Sequence, residues 1–135
     1  MGNAEENRRR VDRKISSAAA ALMSNAKWRK LLSKIDGVAR GIQWRFVNDD
    51  RVFIASIPTL LDESFGDELP YPYGLYRDID WIFIPHEYEN PHSDIKRPLP
   101  KNKNDIIKIK EMIDQLGEYP IELSTDGLII FGYKW

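Results

Sequence analysis

The densest apolar patterning in the chain lies between Arg77 and Tyr88. Ile79, Trp81 and Phe83 alternate with Asp80, Ile82 and Ile84, so an extended segment here carries apolar residues on both faces. A strand with two apolar faces belongs in the middle of a sheet. Pro85 lacks an N–H for the ladder and fixes its own φ, which predicts that the strand ends there.

The remaining pattern falls into helices before this strand, a hairpin next to it, and a helix and hairpin after it. Val11, Ile15, Ala18 and Leu22 repeat at helical spacing, with Asn3 as a cap and Glu5 and Glu6 in the first turn. This stripe over residues 1–23 is thin and rich in alanine. Three outcomes are open to such a helix: projecting from the body, pairing with a copy of itself, or fraying. Ser24 and Asn25 predict the cap of a second helix with Trp28, Leu31, Leu32 and Ile35 on one face and a stop at Asp36-Gly37. Its stripe is out of phase with the first, which predicts a break at Ser24-Asn25.

Residues 42–47 and 51–57 flank Asn48-Asp49-Asp50 and predict a hairpin. The second arm is apolar on both sides through Val52, Phe53, Ile54, Ala55 and Ile57, which predicts a place inside the sheet, and Pro58 ends it. Residues 59–74 hold two prolines and two tyrosines in the run Leu69 to Gly74 and read as a stiff extended loop. A second long loop is expected from Pro85 to Lys103. Asn104 is the predicted cap of a third helix with Ile106, Ile109, Ile113 and Leu116 buried and Gly117 as the stop. Residues 120–123 and 128–133 then form a hairpin around Ser124-Thr125-Asp126-Gly127.

The order α-α-β-β-β-α-β-β, with tight turns between most neighbours, predicts an α+β fold: a mostly antiparallel sheet of about five strands with helices packed on one face. Residues 24–135 are expected to form one α+β domain, with the basic helix of residues 1–23 set apart from it.

With 135 residues, 42% hydrophobic and 30% charged, the chain can bury a core without covalent staples. It contains no cysteine, which removes disulfides, thiolate catalysis and Cys-based metal sites. No run approaches the roughly 18 apolar residues of a membrane span. The apolar piece from Ala18 to Met23 is too short for the centre of a signal peptide, so a cytoplasmic location and no membrane partner are expected. Net charge is −1, but residues 1–47 carry 11 Lys and Arg against 4 Asp and Glu, while residues 48–94 carry 2 against 11. Such asymmetry points to a partner of strong charge.

His86 and His92, among Glu87, Glu89 and Asp94, have ligand chemistry but match no ligand spacing, so no metal or cofactor is expected. Asp78 and Asp80, two apart on a strand, could form an acid–base pair but lack an evident partner across a cleft. There is no phosphate loop, nucleophile elbow, kinase or zincin motif, and no enzyme is expected. Arg8, Arg9, Arg10, Arg13 and Lys14, followed by Lys27, Arg29, Lys30 and Lys34, could neutralise phosphates, though Trp28 is the one aromatic among them, which makes nucleic acid the weaker partner. The acidic middle gives the stronger candidate. Asp49, Asp50, Asp62, Glu63, Asp67, Glu68, Asp78 and Asp80, set among Tyr71, Tyr73 and Tyr76, combine a negative field with aromatic anchors suited to a basic protein partner.

From Lys27-Trp28 to Phe131-Gly132-Tyr133-Lys134-Trp135, roughly four-fifths of the chain resembles a small uncharacterised bacterial domain family. In size, lack of cysteine and acidic surface it is also similar to immunity proteins of bacterial toxin systems, including contact-dependent inhibition. That resemblance implies a non-enzymatic inhibitor of a cognate toxin, such as a basic nuclease domain, and no residue of a defined site comes with it. The expected function is therefore a protein-binding module acting through the acidic, tyrosine-containing surface. The alternative is a nucleic-acid-associated regulator using the basic N-terminal helices.

Overall fold

Each predicted apolar stripe has to find a surface to cover, and the sheet supplies it. The computed structural model describes residues 3–57 and 75–135. Their order is helix α1 (Asn3–Ser16), strand β1 (Ala20–Ala21), α2 (Asn25–Ile35), β2 (Gln43–Phe46), β3 (Phe53–Ile54), a 3-10 turn (Tyr76–Asp78), β4 (Ile79–Pro85), β5 (Glu87–Tyr88), β6 (Asn102–Lys103), α3 (Ile106–Asp114), β7 (Ile121–Leu123), β8 (Gly127–Phe131) and β9 (Tyr133–Lys134). The fold is α+β. A five-stranded antiparallel sheet runs β3-β2-β4-β8-β7, with β4 at its centre as its pattern predicts. Among the described residues no helix is long and apolar enough to cross a membrane.

α2 and α3 cover one face of this sheet. Trp28, Leu31, Leu32 and Ile35 of α2 and Ile106, Ile109 and Ile113 of α3 pack with Trp44, Ile82, Ile84, Leu128 and Ile130 in one core. Complete burial of such side chains contributes about 1.5–3 kcal/mol each. Ser24 caps α2 by accepting from the Lys27 N–H at 3.1 Å, as expected. The cap of α3 is one residue later than predicted. Asp105, not Asn104, accepts from the Lys108 N–H. Asn104 is instead a buried polar tie: its Nδ2 donates to the carbonyls of Arg40 (2.7 Å) and Pro85 (2.8 Å), and its Oδ1 accepts from the Arg40 N–H (3.0 Å). It joins the end of the central strand to the segment after α2, so its polar groups are fully used.

Several expectations are revised. The first helix stops at Ser16, well before Ser24, because the Ser16 and Ser17 hydroxyls bond back to the carbonyls of Asp12 and Lys14 and compete with continued helix. Ala20 and Ala21 then pair with Lys134 and Tyr133. The expected cap at Asn3 is a side-chain feature outside the described residues. α1 does not stand off: Val11 is buried with Val47 and Tyr133, and Ile15 and Ala18 pack on them. β3 is not interior but lies at the sheet edge, where its two-sided apolar pattern leaves Ile54 73% exposed. The second long loop contains the small β5–β6 ladder.

One irregularity shapes the centre of the sheet. Arg45 of β2 faces Trp81, but its neighbour Phe46 faces Ile79, so Asp80 is an extra residue on β4. This β-bulge reverses the alternation and puts Ile79 on the core side with Ile82 and Ile84. Gly132 accommodates it from the other side, its N–H donating to the Asp80 carbonyl at 2.7 Å.

Candidate functional site

Two of the carboxylates singled out in the sequence are held by arginines, Asp78 by Arg8 from the basic end of the chain and Asp49 by the nearby Arg51. The N–H groups of Arg8 bind both oxygens of Asp78 at 2.7 and 2.8 Å in a two-pronged pair, and Arg8 also reaches Asp12 at 2.7 Å. The hydrogen bonds to Asp78 are the main cause of a raised Arg8 pKa, and the Arg8 hydrogen bonds lower that of Asp12. Asp49 accepts from the Arg51 side chain at 2.9 and 3.0 Å and from its backbone N–H, which lowers the Asp49 pKa. Asp80 accepts from Trp135 Nε1 at 2.8 Å. Arg45 lies between Asp50 (3.7 Å) and Asp80 (3.9 Å), too far for a hydrogen bond to either.

Asp78 and Asp80 are thus not an aligned strand pair, since Asp78 closes the 3-10 turn and Asp80 sits in the bulge. Tyr76, expected as a contact anchor, is 1% exposed and belongs to the core under Arg29, whose guanidinium lies 5.8 Å from its ring. Asp62, Glu63, Asp67, Glu68, Tyr71 and Tyr73 lie outside the described residues. Asp49 and Asp78 do come together. Both line a hollow of about 520 Å³ between α1 and the β2–β3 hairpin, with Phe46, Val47, Arg51 and Phe53.

The hairpin beside this hollow is the less expected surface. Asn48 turns the chain with φ 64°, a left-handed conformation that asparagine tolerates, and Asp49 and Asp50 follow. Phe53 and Ile54 are exposed on the outermost strand and Val52 just before it, and the outer edge has no strand beside it among the described residues. Arg51 lies 5.1 Å over the Phe53 ring, and Phe46 meets that ring edge-on at 6.0 Å. Three consecutive exposed apolar residues could have been noticed in the sequence, but their two-sided pattern is also that of an interior strand.

A second surface lies on the sheet face away from α2 and α3. The pairings Arg45–Trp81–Phe131 and Gln43–Phe83–Ile129 place these side chains side by side on that face. Trp81, Phe83, Ile129 and Phe131 are half-buried and belong to neither apolar cluster. Trp135 connects this face to α1, with Lys14 Nζ 5.0 Å over its ring. On the opposite side of the sheet, Lys27, Lys30 and Lys34 of α2 border a hollow of about 690 Å³ that ends at Tyr119. Among the described residues no three His, Asp or Glu side chains converge as metal ligands; His86 uses its main chain instead, bonding the Asp126 carbonyl and the Asn104 N–H.

No protein-family model, curated protein or solved structure matches the chain.

Proposed function

We propose that this protein is a non-enzymatic binding module that recognises another protein, and that it acts as an immunity protein neutralising a bacterial toxin. The observation that carries the protein-binding reading is the β3 edge. Natural sheet edges are usually blunted by charge or proline, because an exposed apolar edge recruits further strands. Here Phe53 and Ile54, with Val52 just before them, stay exposed next to the acidic turn Asp49-Asp50, and Arg51 lies over the Phe53 ring. An edge of this kind suits a partner segment that adds as a strand, its side chains entering the hollow between α1 and the hairpin.

The acidic turn supports a basic partner, such as a nuclease domain, by favourable long-range attraction. Asp50 carries most of this, since it is fully exposed and its nearest cation is 3.7 Å away. The toxin assignment rests on the resemblance in size, composition and charge.

Co-expression with the protein encoded immediately upstream, followed by size-exclusion chromatography and a toxicity assay, tests the proposal. The expected result is a stable complex that inhibits the toxin and weakens at least tenfold with Ile54→Lys. A complex unaffected by Ile54→Lys and Phe53→Glu would remove the β3 edge from the interface. Absence of any complex or protection would remove the toxin reading.

A further inference from the structure

We propose that the sheet face opposite α2 and α3 is a binding platform for single-stranded nucleic acid, a second surface independent of the β3 edge. Three observations converge on it. First, the face is aromatic where a solvent-facing sheet ordinarily is polar. Trp81 and Phe131 are direct cross-strand neighbours, and Phe83 follows Trp81 two residues along β4, about 6.6 Å away by strand geometry. Flat half-buried rings on adjacent central strands offer bases a stacking surface that tolerates any sequence.

Second, cations border the rings. Arg45 lies in the same cross-strand row as Trp81, and its ion pairs with Asp50 and Asp80 are long, so a phosphate can take its guanidinium at little cost. Lys14 stands over Trp135, and Arg10 lies one turn earlier on α1, on the same side as Lys14. Lys134 is exposed beside them.

Third, the rings and cations meet at a hollow. Arg45, Asp80, Trp81, Phe131, Lys134 and Trp135 line a space of about 570 Å³, within the size range of small-ligand sites. Its one carboxylate, Asp80, is occupied by Trp135. The basic helix, whose own sequence carries no aromatic residue, thus acquires aromatic neighbours through the fold. This juxtaposition of Lys14, Arg45 and Lys134 with stackable rings favours a polyanion that carries bases.

The test is fluorescence anisotropy of the full chain with a labelled oligouridylate and an oligothymidylate of about twelve nucleotides, with a DNA duplex for comparison. The expected result is a rise in anisotropy with single strands, quenching of tryptophan emission, and weaker binding as salt increases. Trp81→Leu and Phe131→Leu should each weaken binding by about tenfold. Lys14→Glu and Arg45→Glu, which do not touch the core, should weaken it and reduce the salt slope by about one each. These charge variants keep the question decidable if an aromatic replacement impairs folding, which circular dichroism would reveal. No anisotropy change at 50 mM salt would overturn the proposal. So would binding indifferent to all four substitutions, or a Trp81→Leu protein that binds oligonucleotide normally but loses a protein partner.

Discussion

Gly132 shows how tightly single residues constrain this centre. A Cβ there would lie 2.4 Å from the Ile79 carbonyl oxygen and 2.9 Å from that of Asp80, both backbone atoms that cannot swing away. Gly132→Ala is therefore expected to cost about 1–3 kcal/mol, the range of core overpacking, seen as a lower urea midpoint with an unchanged slope. Tyr133, the next residue, donates its hydroxyl to the Arg77 carbonyl at 2.6 Å. Burial, reinforced by the charge of Asp78, raises the Tyr133 pKa. A raised folded-state pKa means stability that is intact below the unfolded value of about 10 and lost as pH rises through the folded value. Tyr133→Phe should cost about 0.5–1.5 kcal/mol near neutrality and flatten the alkaline part of a stability-versus-pH profile. Asp12 and Asp49 work in the opposite direction. Their lowered values give stability present above about pH 4 and lost on further acidification.

At the scale of elements, what the chain disclosed in advance was local. The stripes of α2 and α3, the two-sided pattern of β4 with its stop at Pro85, and the Ser124 to Gly127 turn each depend on residues within a few positions of one another. The features that escaped notice depend on distant partners. The Asp80 bulge needs the register of β2, and the exposure of β3 needs the strand order. Asp78 and Asp80 were legible as acidic candidates, but not their engagement by Arg8, seventy positions away, and by Trp135. Trp81 and Phe83 read as core because an aromatic residue on a strand usually is. The Arg8–Asp78 pair bears directly on α1. Arg8→Ala is expected to cost about 1–2 kcal/mol, given the partial exposure of both side chains. Hydrogen exchange should show faster exchange in α1 with β4 unchanged, and charge reversal at Asp78 should do the same.

Across the whole molecule, the uneven charge along the chain serves internal assembly as well as any partner. Basic residues of the first third meet carboxylates of the middle third through Arg8–Asp78 and the longer Arg45 pairs, and Arg77 of the middle third returns the contact to Asp12. Raising the salt concentration should therefore slow a basic partner's association and also loosen α1, separable by comparing association rates for native protein and Arg8→Ala. The pairing of β1 with β9, and of Lys14 with Trp135, has a consequence for the order in which the fold is made. Val11 of α1 and its buried neighbour Tyr133 are far apart along the chain. Contacts across so long a separation form slowly, so the α2–β2 segment and β4 can collapse before α1 finds its site. Closure of this seam is then a late folding event, and it ties two distant stretches of the chain into one unit.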